Sequence, residues 1–368
     1  MRTTLVLLTS TLLLAACGGT AAVPANHSPT PIVQPQATTD LAALQCRLPV
    51  AGFVPPGPKG QPDSSFGSDG QQSQKGTGGF LDLRSRTYTA VADSDRSYLA
   101  AANTWLPVLP QAIAPDQQSY VQGTAHTGGS TAPPTTTLYV VDVRTKAKRL
   151  LFTAPNGDMA VVLAYTPAGV YVETLPSGGP GPSELVLIDP ASGAHHPVPG
   201  SKAKTGVYQQ AWMAISGGAA WGFTITFPNG QSKPYLVTLL RLDLSAGSTA
   251  DWYSSKSAFT VSGFDAANHP ILGILSENFS TNLALVSAPN QATAIKPQVG
   301  TYVQGQGQGV SDTHGTWFGS GDGSGDGSLW LYTASRGLEK VASIPPQPGG
   351  NGVPLDPHAW RSIAGPCA

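Results

Sequence analysis

Charge is scarce in this chain. Lysine and arginine number 20 and aspartate and glutamate 21 in 368 residues, so the net charge is −1. Nucleic-acid recognition needs clustered cations, and the densest group here, Lys146, Lys148 and Arg149, is three charges at one turn. Such a group reads as a solvated hairpin tip, and no nucleic-acid partner is expected. Long apolar runs are also missing. The longest, Leu5 to Ala16, is too short to cross a hydrocarbon core of roughly 30 Å as a helix. The chain has no Gly-x-Ser-x-Gly elbow, no His-Glu-x-x-His, no Cys-x-x-Cys and no phosphate-cradling glycine loop ending in Lys-Ser/Thr. What replaces charge is backbone punctuation, with 43 glycines and 33 prolines. That balance predicts many short strands joined by tight turns.

The N-terminal run fits the apolar region of an export signal, with Arg2 as its only charge. It ends in Leu14-Ala15-Ala16-Cys17, which resembles the lipobox of bacterial lipoproteins. The resemblance implies that residues 1–16 are removed, that Cys17 is lipidated, and that the protein is held by lipid on a bacterial membrane, outside the cytoplasm. The other reading is an ordinary secretory signal cut nearby. Residues 17–45, rich in Ala, Thr and Pro, read as a tether. The remaining cysteines, Cys46 and Cys367, form an even pair in an oxidising compartment and are expected to bridge. They bound a domain of residues 46–368, in which the polar stretch 57–79 reads as a flexible loop.

From Phe80 the chain repeats. Apolar segments end in polar turns at Asp82, Asp142, Asp189, Asp243, Ser287 and Thr333, separated by 60, 47, 54, 44 and 46 residues. A period near 50 points to propeller blades. A second series interleaves with it, with turns near 116, 169, 218, 268, 314 and 358. Each blade is then two hairpins in a four-stranded sheet. The last inner turn has no hairpin after it, and the hairpin at Asp82 has no inner turn before it. If the N-terminal hairpin completes the last blade, the ring has six blades rather than seven, and Cys46 comes near Cys367. The fold class is therefore all-β, a six-bladed β-propeller. Ala114-Pro-Asp116-Gln-Gln-Ser-Tyr120 resembles the Ser-Pro-Asp-Gly turn of TolB-type, WD40-like repeats, with Gln117 in place of the usual glycine. The resemblance covers about residues 80–366 as architecture.

In propellers of that type, the loops between second and third strands share the face that binds ligands or partners. Here those loops contain few titratable groups, and the binding-face candidates are His126, Lys233 and Glu277, with Trp252 as the least constrained aromatic. Glu173, Asp158, Lys202, Lys204, Asp251 and Lys256 read as scattered solubilising charges. His269, His314 and His358 fall in corresponding turns and read as turn histidines, while Trp221, Trp317 and Trp360 read as packing between blades. Asp322, Ser324 and Asp326 alternate like the first half of a calcium loop. Trp330 and Thr333 stand where the later ligands belong, so the stretch reads as a loop without a metal site. These features predict a monomeric binding module with no cofactor and no catalytic residues, whose partner is an extracytoplasmic protein or glycan. The competing expectation is an exported hydrolase or lyase acting on a glycan or peptide.

Overall fold

The computed structural model describes residues 44–53, 78–126, 135–176, 183–203, 206–227, 235–275, 281–297, 308–321, 327–344 and 360–368. They form a six-bladed β-propeller. The first blade is assembled from both ends of the chain. Strands β1 (Arg47–Phe53), β2 (Gly79–Asp82) and β3 (Thr87–Ala90) are joined on the channel side by β25 (Trp360–Ile363). A hairpin of β4 (Ser97–Leu99) and β5 (Thr104–Leu106) follows. The second blade holds β6 (Ser119–His126), β7 (Thr135–Asp142) and β8 (Lys148–Thr153), with a single bridge from Ile113 to Tyr120 in place of an innermost strand.

The remaining four blades each have four antiparallel strands. The third comprises β9 (Met159–Thr166), β10 (Gly169–Leu175), β11 (Glu184–Ile188) and β12 (His195–Pro197). The fourth comprises β13 (Gln209–Ser216), β14 (Ala219–Thr226), β15 (Leu236–Asp243) and β16 (Ser248–Ser255). The fifth is β17 (Phe259–Phe264), β18 (Pro270–Leu275), β19 (Thr281–Ala288) and β20 (Gln291–Ile295). The sixth is β21 (Val310–Asp312), β22 (Gly315–Gly321), β23 (Gly327–Thr333) and β24 (Gly337–Ile344).

Packing explains why the strands read as apolar on both faces. Each blade is clamped between two others, so alternate residues of one strand enter two different seams. On β14, Trp221 and Ile225 pack with Phe259, Val261 and Leu272 of the fifth blade, whereas Ala220 packs with Leu163 and Tyr171 of the third. Similar clusters join the second blade to the third, the fifth to the sixth and the sixth to the first. Bulges recur between first and second strands, at Tyr171/Val172, Trp212/Ala214 and Val261/Gly263, and add local twist to each blade.

The outer turns fall where the repeat predicts, and so do the inner turns near 116, 169, 218, 268 and 314. The third strands end at or beside Asp82, Asp142, Asp189, Asp243, Ser287 and Thr333. The aspartates there cap their own turns. Asp142 Oδ1 accepts the Arg144 and Thr145 N–H groups at 3.0 and 2.7 Å, and Asp189 Oδ1 accepts that of Ala191 at 2.7 Å. The closing blade departs from the expected pattern. Trp360–Ile363 is itself the innermost strand, paired Phe53↔Trp360 to Val50↔Ile363 with β1, not the second strand that the expected inner turn would open; residue 358 lies outside the described residues. Extending that register brings residue 46 opposite residue 367, and the Cys46–Cys367 disulfide, with Cα atoms 5.5 Å apart, stands in for the missing turn. The strand at Arg47–Phe53 and the hairpin at Ser97–Leu106 are additions to the sequence reading. Of the stretch 57–79, residues 57–77 lie outside the described residues, while Gly78 donates its N–H to Ser94 Oγ and Gly79 opens β2.

Candidate functional site

The strand directions give the ring two unlike faces. On one lie the inner and outer turns, together with the disulfide. On the other the second strands end and the third strands begin. The connecting residues there, 54–77, 127–134, 177–182, 228–234, 276–280 and 322–326, lie outside the described residues. So do Cys17, Lys233, Glu277, Asp322, Ser324 and Asp326. His126 ends β6 opposite Thr135, and its side chain also lies outside the described residues. Trp252 is elsewhere. It occupies the outermost strand of the fourth blade, edge-on to Trp221 at 4.7 Å, with the Arg241 guanidinium 5.7 Å from its ring centre.

Beneath the loop face, the third and fourth blades are joined by a buried polar seam. Glu173, near the end of β10, is 5% exposed. Its Oε1 accepts the Trp212 N–H at 2.6 Å, across the blade boundary. Burial pushes the Glu173 carboxyl up to about 7, against the opposing influence of Ser183 and the Trp212 N–H. Nearby, the Ser201 carbonyl accepts Gln210 Nε2 at 2.6 Å and Trp212 Nε1 at 3.1 Å. Glu173 is thus a structural acceptor between blades, and the reading of it as a solubilising charge is corrected. Its spacing of 39 residues from Trp212 gave no local signal for the pairing.

The same face carries an aromatic pair. Tyr208, just before β13, is 42% exposed and meets the Phe227 ring edge-on at 4.9 Å. Inside the channel, a cavity of about 210 Å³ is lined by Leu109, Gln111, Gln308, Val310, Ser362 and Ile363, among others. Its lining residues Leu109, Pro110 and Gln111 shortly precede the bridge residue Ile113. Gln308 reaches across the channel, its Nε2 donating to the Met213 carbonyl at 2.8 Å.

The turn histidines are held by carboxylates. Asp265 Oδ1 accepts the His269 N–H at 2.8 Å, and its Oδ2 lies 3.0 Å from His269 Nδ1. Asp312 ties together a larger set. Its Oδ1 accepts the His314 N–H at 2.7 Å, and its Oδ2 accepts Trp317 Nε1 at 2.8 Å and the Cys367 N–H at 2.9 Å. His358 lies outside the described residues. Trp221 and Trp317 are buried between blades, as their spacing predicts. Among the described residues, no group of three or more His, Cys, Asp or Glu side chains could hold a metal ion.

No family model matches the chain, and no curated protein matches it. Several solved structures align with it. TolB from Acinetobacter baumannii aligns at 12% identity and a TM-score of 0.41, over 79% of this chain and 62% of that one. The chain therefore spans less than two thirds of TolB's length. The propeller domain of the Trilobed protease from Pyrococcus furiosus aligns at 10% identity and a TM-score of 0.45, over 76% and 86% of the two chains. The periplasmic gluconolactonase of Pseudomonas aeruginosa aligns at 13% identity and a TM-score of 0.44, over 82% and 83%. At these identities the likeness is one of fold.

Proposed function

We propose that the protein is a lipid-anchored, extracytoplasmic propeller that presents a binding face away from the membrane to a protein or glycan partner. The observation that carries this reading is the position of the chain entry. Residues 44–46 join the ring at its turn face, where Leu44 is buried and Cys46 is bridged to Cys367. A tether running from a lipidated Cys17 reaches the domain on that side. The opposite face, bearing the connections between second and third strands and the Tyr208–Phe227 pair, is then directed outward. A rigid closed ring fixes the mutual positions of those connections, which is what a binding surface built from loops needs.

Two measurements test the reading. Intact-mass analysis of membrane-extracted protein should show a chain beginning at a lipidated Cys17; an unlipidated chain starting elsewhere refutes the anchor. Capture of cell-wall fragments and exported proteins on immobilised protein should then give a retained partner. Replacing Tyr208 by Ala, or Lys233 and Glu277 by Gln, should reduce its retention at least tenfold. Retention unchanged by all three, but abolished by substitutions in the turns at 143–147, places the binding surface on the wrong face.

A further inference from the structure

We propose that the turn face of the first two blades is an electrostatic seat for anionic phospholipid headgroups, holding the tethered propeller against its membrane at a fixed tilt. This inference rests on the lipid-anchor reading and extends it from attachment to orientation. The ring gathers on one face cations that the sequence keeps far apart. Arg84 and Arg86 lie in the outer turn of the first blade, and Arg144, Lys146 and Lys148 lie in or beside that of the second; Arg47, at the chain entry, holds its guanidinium 4.4 Å from the centre of the Phe80 ring. All six are exposed.

The aspartates in the turns of these two blades are Asp82, Asp142 and Asp116, each turned into its own turn, while Asp312 of the sixth blade also reaches the chain entry, where its Oδ2 accepts the Cys367 N–H at 2.9 Å. Asp82 Oδ1 accepts the Ser85 N–H at 2.8 Å, Asp142 Oδ1 accepts that of Thr145 at 2.7 Å, and Asp116 Oδ1 accepts that of Gln118 at 3.0 Å. The rest of the turn face has the opposite character. Its turns carry Asp189, Asp243, Asp265 and Asp312, and its arginines are matched, Arg241 with Asp243 at 3.6 Å and Arg336 with Glu339 at 3.5 Å. A chain of net charge −1 is therefore polarised, with its cationic edge beside the point where the tether enters.

That placement selects the occupant. The 28 residues between Cys17 and Cys46 contain one acidic residue, Asp40, and no cation. Fully extended, a chain of that length reaches at most about 100 Å, at ~3.5 Å per residue. The cationic edge is then confined near the bilayer at an effective concentration on the order of millimolar, so a weak contact suffices to populate the seated state. Attraction between such groups and anionic headgroups acts only within about 8 Å at physiological salt, which requires the exposed turn tips themselves to touch the surface.

The test separates the seat from the anchor by removing the lipid. A chain beginning at residue 18 keeps every described strand and the disulfide, and it can be produced in an oxidising host. Its sedimentation is compared with vesicles of phosphatidylcholine alone and with vesicles containing about 30% phosphatidylglycerol. The expected result is binding to the anionic vesicles at 50 mM salt, release at 500 mM, and no binding to phosphatidylcholine. The triple variant Arg84→Gln, Arg144→Gln, Lys146→Gln, with its melting temperature unchanged, should bind at least tenfold more weakly. Equal binding by parent and variant overturns the proposal, as does failure of the parent to bind or indifference to headgroup charge. Failure of the anchor itself appears instead in the intact mass, which this experiment does not use.

Discussion

Gln117 sits in the left-handed region, with φ +61°, where a glycine would be unstrained. Its N–H closes the turn on Ala114 O at 2.8 Å, so the geometry is kept at a conformational cost. Gln117→Gly should raise stability by about 0.5–1 kcal/mol in urea unfolding, and a loss of stability refutes the strain. Two glycines work the other way. A Cβ at Gly319 would strike the Arg361 carbonyl, and one at Gly327 would strike the Arg361 Cγ, because this fully buried arginine runs between the sixth blade and the first. Gly319→Ala meets backbone and should cost about 2–3 kcal/mol; wild-type stability would show that the seam can give. Glu173 supplies a pH test. Its folded pKa of about 7 lies above the ordinary 4.5, so the folded chain holds this proton more tightly than the unfolded chain. The contribution is favourable below the lower value and is lost as pH rises through the higher one, by up to roughly 3 kcal/mol. Glu173→Gln keeps an oxygen for the Trp212 N–H and should flatten the decline in stability between pH 5 and pH 8. A variant whose stability falls in parallel with the parent's assigns the decline to other groups.

At the scale of elements, the weakest closure is β25, four residues that hold the first blade to the sixth. It is pinned from three sides. Tyr98 of β4 donates its N–H to Ala364 O at 2.8 Å, Arg47 and Ala368 exchange backbone hydrogen bonds, and Asp312 accepts the Cys367 N–H. Asp312→Ala removes the acceptor for Trp317 Nε1, His314 N and Cys367 N together. A loss of about 2–4 kcal/mol is expected, with faster hydrogen exchange at residues 361–367 than elsewhere in the channel-lining strands. Uniform exchange would show that the aspartate supports only its own turn. The turn at Asp312 was legible from its residue types. Its hold on a cysteine 55 positions later was not, because only ring closure brings those two segments together.

For the whole molecule, closure is chemical as well as geometric. The disulfide spans 321 residues, and the loop-entropy model gives such a bridge roughly 5 kcal/mol at most. Cys367→Ser should therefore lower the melting temperature under oxidising conditions, and the parent under strong reductant should melt with the variant. Equal melting of the two in oxidant would remove the bridge from the stability of the ring.

The six-bladed ring was legible because a repeat writes itself into the chain at a fixed period, and each turn aspartate at 82, 142, 189 and 243 satisfies partners within a few residues of itself. The pairing of Cys46 with Cys367 was legible for a similar reason, since an incomplete first repeat and an incomplete last one can only complete each other. What the tertiary structure decided is everything that depends on which blades are neighbours. Glu173 is buried because the fourth blade covers it, Arg361 is enclosed because two glycines of the sixth blade make room, and the cations of two separate outer turns share one edge because the first and second blades are neighbours. Local hydrogen bonding and periodicity act within one repeat and leave a sequence signature; contacts between repeats join residues of arbitrary separation and leave none.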